Sequence, residues 1–214
     1  MTHFSYKKIV GTSLCMMFGS FVLIGIVNLI SQLYGIYNPE VMPFFWMAMN
    51  LITVAATAII AFNRTNHFSV ISKIGAFALI ILYLSFFVNQ IVIWTSDNTS
   101  NIFSFLGDNG SAIVDTLIYG SIALLLFGLK IWNPIKYIGV LGYIPSIVSS
   151  FTIAKLSDIY TSENYELYES LVSRLDTLNY IYWGVNIVTF ILIIIWLAKK
   201  SIAPSIQSKT IDII

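Results

Sequence analysis

The polar side chains inside the apolar stretches of this sequence are mainly amides and hydroxyls, with Asp115 as a carboxylate and Lys73 near the end of one stretch. Amides and hydroxyls make hydrogen bonds, whereas proton transfer within a membrane needs paired carboxylates or histidines, and no stretch holds such a pair. The sequence also lacks H-E-x-x-H, G-x-S-x-G, phosphate-binding loop and dinucleotide-binding motifs. We therefore predict a protein that is not an enzyme.

Residues that bind metals or cofactors are scarce. The single cysteine, Cys15, allows neither an internal disulfide nor a cysteine-built metal cluster, and His3 and His67 fall in hydrophilic segments. The basic residues are few and scattered, unlike the clustered patch that binds nucleic acid. We expect no metal, no cofactor and no nucleic-acid partner.

The composition places these polar residues in a membrane protein. The 214 residues are 57% hydrophobic and only 10% charged, and the mean hydropathy is +0.84. Soluble domains carry about 25% charged residues. We therefore expect an integral protein whose partner is the lipid bilayer, with residues 1–214 forming a single membrane domain.

Six stretches reach the roughly 20 apolar residues that a helix needs to cross a bilayer. They are 9–33, 43–62, 70–94, 112–132, 137–154 and 178–198. The fifth is the shortest and contains Gly139, Gly142 and Pro145. We expect a kink at Pro145 rather than a break, because neighbouring helices can satisfy the carbonyl that the proline frees.

The charges predict the orientation of these spans. If the N-terminus is cytoplasmic, nine of the eleven basic residues lie inside, all except Lys155 and Arg174. Nine of the ten acidic residues then lie outside, all except Asp212. The sequence thus predicts an all-α bundle of six transmembrane helices in a cell membrane, with both termini cytoplasmic. The high usage of Ile, Asn and Ser suggests a bacterial source.

An amphipathic helix is predicted over 163–175, on the outer side between the fifth and sixth spans. At 100° per residue, its apolar and charged side chains separate onto two faces. We expect this helix to lie on the membrane surface or to form a lid over the bundle. The outer loop before the fourth span carries two glycosylation sequons, at Asn98 and Asn109, whose use the sequence does not decide.

With this orientation, the strongly polar side chains of the spans concentrate in the outer half of the bilayer. Polar groups at depth face a bundle interior or a watery cavity. Seven of them are candidate ligand-binding residues: Asn28, Asn50, Asn89, Gln90, Asp115, Ser149 and Asn186. The alternative is structural, because such groups also join membrane helices, at about 0.6 kcal/mol for each hydrogen bond.

Two other patterns bear on contacts between helices. Small residues recur every four positions in the fifth span and in the first, which permits close packing within the bundle or against another membrane subunit. They are Gly142, Ser146, Ser150 and Ala154, and Gly11, Cys15 and Gly19. The pattern Asp-Thr-Leu-x-Tyr opens two spans, at Asp115 and Asp176, but five residues are too few to indicate duplication.

Two functions fit these features. The first is a protein that binds or transports a small molecule or a cationic peptide from the outer face, through a polar cavity in the outer half of the bundle. An acidic outer face would attract cations. The second is an accessory, immunity or assembly protein, or a membrane subunit of a larger transporter, which acts through its surface on a membrane protein partner. An ion channel would need a filter-like loop or a ring of charge, and the spans show neither.

Overall fold

A computed structural model describes residues 3–35, 41–64, 67–96, 103, 106, 109–159 and 164–199. Within these residues the chain forms seven α-helices and no strand. The helices are α1 (His3–Tyr34), α2 (Met42–Ala61), α3 (Val70–Ser96), α4 (Gly110–Gly128), α5 (Asn133–Leu141), α6 (Ile144–Ile159) and α7 (Tyr165–Ala198). The sequon at Asn98 and the start of the predicted amphipathic helix at Glu163 lie outside the described residues.

Among the described helices, five are long and apolar enough to cross a membrane: α1, α2, α3, α4 and α7. Large apolar side chains, such as Leu23, Ile81 and Ile191, remain exposed on the outer surfaces of these helices. Soluble proteins rarely expose apolar surface of this extent, whereas the helices of a membrane protein bury it in lipid. The prediction of an all-α, multi-pass membrane protein is therefore confirmed.

The fifth predicted span is divided into two helices, which corrects the prediction of one kinked helix over 137–154. Helix α5 has 9 residues and α6 has 16, and they meet at Gly142 and Tyr143. Pro145 has no N–H for the carbonyl of Leu141, so the helical ladder is interrupted there. The chain tightens instead, and the Tyr143 N–H donates to the Val140 carbonyl at 3.2 Å.

The predicted amphipathic helix and the last span are one helix, which corrects the prediction of a separate surface helix. Helix α7 has 34 residues, or about 51 Å at 1.5 Å per residue, well over the 30 Å of a bilayer core. No Gly or Pro interrupts it between Leu175 and Leu178, and Thr177 Oγ1 donates to the Ser173 carbonyl at 3.1 Å. The amphipathic segment therefore extends the last span instead of lying across it.

The helices form a closed ring. Successive helices from α1 to α4 pack on one another, α4 packs on α5 and α6, and α7 packs on α5, α6 and α1. Leu14, Phe18, Leu79, Ile122 and Leu126 are among the side chains buried in the centre of this ring. Helix α7 thus closes the bundle by joining its last span to its first.

Most of the described basic residues lie at one end of the ring, which we call the basic end. The Tyr6 hydroxyl accepts from the Lys130 N–H at 2.9 Å, which joins the start of α1 to the end of α4. The Lys7 ammonium donates to the Lys199 carbonyl, and the Lys199 ammonium lies 4.3 Å from the Trp132 ring centroid. The opposite, acidic end carries the described acidic residues of α4 and α7, together with Lys155 and Arg174.

Candidate functional site

A cavity of about 460 Å³ lies towards the acidic end, between α1, α4, α6 and α7. Its walls come from the second half of α1, the beginning of α4, the middle of α6 and the first half of α7. The lining residues are Val22, Gly25, Ile26, Asn28, Leu29, Asp115, Tyr119, Ser146, Ser149, Ser150, Ile153, Asp176, Asn179, Tyr180, Tyr182, Trp183 and Ile187.

Gly25 allows the wall formed by α1 and α7 to close. A Cβ atom at this position would collide with the Trp183 ring, and would lie 2.6 Å from its Cζ3 atom. Because Gly25 has no side chain, the indole can lie directly against the α1 backbone. The position of Trp183 in the cavity wall therefore depends on this glycine.

Three serines of α6 share one wall of the cavity, because residues 146, 149 and 150 fall on one face of a helix. Ser150 Oγ donates a hydrogen bond to Asp115 Oδ2. Ser149 is only 2% exposed, and its Oγ has no hydrogen-bond partner. This wall therefore contains a carboxylate with one protein donor and a buried hydroxyl with none.

A cluster of three tyrosines lies below these serines. The rings of Tyr119 and Tyr143 are stacked, with centroids 4.6 Å apart, and the Tyr182 ring lies 5.9 and 5.8 Å from them. The Tyr119 hydroxyl and Ser146 Oγ share a hydrogen bond of 2.9 Å. Tyr143 comes from the junction of α5 and α6, so the break in the fifth span places its ring in this cluster.

The polar groups continue from the tyrosines into the core. The Tyr143 hydroxyl donates to Asn186 Oδ1 at 3.0 Å. Asn186 Nδ2 and Thr189 Oγ1 are buried without a hydrogen-bond partner of normal geometry, although the Tyr182 hydroxyl interacts with the Asn186 side chain. One turn further along α7 the fully buried Ile193 begins an apolar layer. The polar region therefore ends within the bundle.

Four of the seven candidate residues come together at this site. Asn28, Asp115 and Ser149 line the cavity, and Asn186 lies beneath it. The other three, Asn50, Asn89 and Gln90, belong to α2 and α3, which contribute no lining residue. Asn50 and Asn89 are buried within the bundle. The ring places α2 and α3 away from the cavity, although the sequence places all seven residues in the outer half of the bilayer.

The sequence interpretation missed the aromatic part of the site. Tyrosines within apolar helices resemble ordinary core residues, so Tyr119 and Tyr182 gave no signal of their own. The repeated Asp-Thr-Leu-x-Tyr pattern was the one feature of the sequence that could have identified tyrosines of the cavity. Its spacing of four residues puts Asp and Tyr on one helix face, and Asp115, Tyr119, Asp176 and Tyr180 all line the cavity.

The cavity is acidic. Asp115 and Asp176 line it, and none of the residues lining it is Lys, Arg or His. No protein-family model, curated protein or solved structure matches the chain.

Proposed function

We propose that this chain is a non-enzymatic membrane protein that binds a small ligand from the outer face of a cell membrane, in the cavity between α1, α4, α6 and α7. One observation carries the proposal: Ser149 lines a cavity of about 460 Å³, and its buried hydroxyl has no partner in the protein. An unsatisfied buried group costs about 1–3 kcal/mol. A ligand that binds the hydroxyl would offset that cost.

The size of the cavity fits this role. Sites for small molecules have volumes of about 300–1,000 Å³ and combine apolar walls with a few polar groups. Here the apolar side chains of α1 face hydroxyls and carboxylates of α4, α6 and α7. A volume of this size holds a small molecule, and it is too small for a peptide of many residues.

The proposed topology has six crossings. Helices α5 and α6 together run from Asn133 to Ile159, or about 40 Å of helix, enough for a crossing that neither makes alone. The basic end is then cytoplasmic by the positive-inside rule. The cavity, at the acidic end, faces the outside.

Transport would need a further movement. The apolar layer around Ile193 and Leu126 closes the inner side of the cavity, and both residues are fully buried. The junction of α5 and α6 is the place where the helices could move, since transporters often bind substrates at interrupted helices. Binding from the outside is the first step in either case.

The accessory role is less well supported, because the small-residue faces predicted to contact a partner pack within the chain. A Cβ atom at Gly11 would collide with Leu197, and one at Gly142 would collide with Val185. Ser146 and Ser150 bind Tyr119 and Asp115. The described small residues of both faces thus pack within the chain; the side chain of Ala154 lies outside the described part.

Native mass spectrometry of the full chain, purified in mild detergent from its own host, tests the proposal. The wild type should retain a small molecule at defined stoichiometry. Ser149→Leu, which fills the cavity, should lose it. Ser85→Leu is the matched control, because Ser85 lies on α3 and its Oγ donates only to the Ile81 carbonyl of the same helix.

Three results would contradict the proposal. These are a wild-type protein without any adduct, an adduct that Ser149→Leu retains, and a bound protein partner with no small molecule. The last result would favour the accessory role.

A further inference from the structure

Two carboxylates from different helices face the same cavity. Asp115 comes from α4 and Asp176 from α7. Ser150 is the side chain that donates a hydrogen bond to Asp115, and a carboxylate can accept about four such bonds. With no Lys, Arg or His in the lining, the field in this low-dielectric cleft attracts a cation.

Ser149 is a further polar residue of the same wall. Its hydroxyl is buried and has no partner, and it lies next in sequence to the serine that binds Asp115. A hydroxyl oxygen can accept a hydrogen bond from an N–H group. A ligand with several donors on one atom could therefore bind Asp115 and Ser149 together.

The other walls suit the rest of such a ligand. Tyr180 and Trp183 present aromatic rings, which attract ammonium groups through their π faces. Val22, Ile26 and Leu29 form an apolar wall on α1. The cavity thus has a carboxylate and hydroxyl side and an apolar side, which matches a molecule with a charged head and an apolar body.

From this geometry we infer that the ligand is a small organic ammonium ion with an apolar body, bound as a free molecule. The inference rests on the proposed function, because it names the ligand class of the same cavity. A bare metal ion would leave most of the 460 Å³ empty. A phospholipid with an ammonium headgroup would bring a phosphate to a lining that holds two carboxylates and no basic residue.

Three probes of similar size and different charge test the inference: 2-phenylethylammonium, 2-phenylethanol and phenylacetate. Each is added to the full chain in a neutral detergent, and binding is measured by thermal shift and by titration calorimetry. The ammonium probe should bind and raise the melting temperature. The alcohol should bind at least about tenfold more weakly, and the anion should not bind.

Matched variants locate the binding. Asp115→Asn should raise the Kd of the ammonium probe by about tenfold or more, because a neutral amide replaces a charge in a partly buried position. Asp176→Asn should raise the Kd less, because Asp176 is exposed and solvent screens its charge. Tyr180→Leu should raise it by about two- to fivefold, the effect of one ring at an exposed cation–π site. Glu166→Gln is the control, since Glu166 is an exposed carboxylate of α7 outside the cavity, and it should leave the Kd unchanged.

The outcomes separate this inference from the proposed function. If the native adduct depends on Ser149 but is neutral or anionic, or if Asp115→Asn binds the ammonium probe as the wild type does, the ligand class is wrong and the cavity remains a site. A co-purified phospholipid that the ammonium probe displaces would overturn the inference that the ligand is a free molecule. If no probe of any charge binds and there is no native adduct, the proposed function itself fails.

Discussion

The two sides of the helix ring use the same kinds of polar residue in different ways. Between α1 and α2, Ser13 donates to the Ala56 carbonyl, and Ser20 Oγ and Thr53 Oγ1 share a hydrogen bond of 3.0 Å. Between α4, α6 and α7, Ser149 Oγ and Thr189 Oγ1 are buried without a hydrogen-bond partner, and Asn186 Nδ2 has none of normal geometry. Ser149 lines the cavity on this side of the ring.

The difference separates a structural role from a binding role. On the closed side, from α1 to α4, the hydroxyls of Ser13, Ser20 and Thr53 join helices, as expected of residues that stabilise a membrane bundle. On the open side, formed by α4, α6, α7 and α1, the same residue types surround space that the protein does not fill. Hydroxyl side chains occur on both sides, and their hydrogen-bond partners differ.

The largest change in stability is expected where the backbones of two helices on the closed side are in contact. A Cβ atom at Gly75 of α3 would lie 2.6 Å from the Ser121 carbonyl oxygen and 2.5 Å from the Leu125 nitrogen of α4. Backbone atoms cannot move aside as side chains do, so Gly75→Ala should lower the free energy of unfolding by about 1–3 kcal/mol. Unfolding in mixed micelles, followed by circular dichroism, measures it.

The matched control for this change is Gly120→Ala on α4. A Cβ atom there would meet nothing within 4 Å, and alanine is the better helix former by about 1 kcal/mol. This variant should be as stable as the wild type or more stable. Equal losses in both variants would contradict the close contact between α3 and α4.

A smaller decrease in the free energy of unfolding is expected for Tyr143→Phe on the open side. The change removes the hydrogen bond to Asn186 Oδ1 and leaves that buried oxygen without a donor, at a cost of about 1–2 kcal/mol. Tyr137→Phe is the control, since Tyr137 is 54% exposed. If the two variants unfold alike, the junction of α5 and α6 does not hold Asn186 through this bond.

The smallest changes in stability are expected for two threonine-to-valine variants, one on each side of the ring, and they should have opposite signs. Thr53 and Thr189 are both 1% exposed or less, but Thr53 Oγ1 shares a hydrogen bond of 3.0 Å with Ser20 Oγ of α1, and Thr189 Oγ1 has no partner. Thr53→Val should therefore lower the free energy of unfolding by about 0.6 kcal/mol. Thr189→Val should raise the free energy of unfolding by up to about 1 kcal/mol, because valine has nearly the same shape as threonine and lacks the unsatisfied hydroxyl. A loss of stability in both variants would mean that the two sides do not differ in this way.

Part of the site was predictable from the sequence. Asn28, Asp115 and Ser149 were identified because polar groups within apolar helices need a partner or a cavity, and all three line the cavity. The same reasoning selected Asn50 and Asn89, which lie elsewhere in the bundle. Depth along a helix can be read from the sequence, but the direction in which a side chain points within the ring depends on which helices pack together.

The sequence by itself determined the class of this protein and the division of its charges. Long apolar runs must form helices in lipid, where every backbone group needs a partner within the segment. Only the tertiary structure decided which polar residues share one space. That space exists because α7 closes the ring against α1, and because Pro145 interrupts the fifth span so that Tyr143 can reach Asn186. Both contacts join residues more than 40 positions apart, and the local sequence pattern carries no information about such pairs.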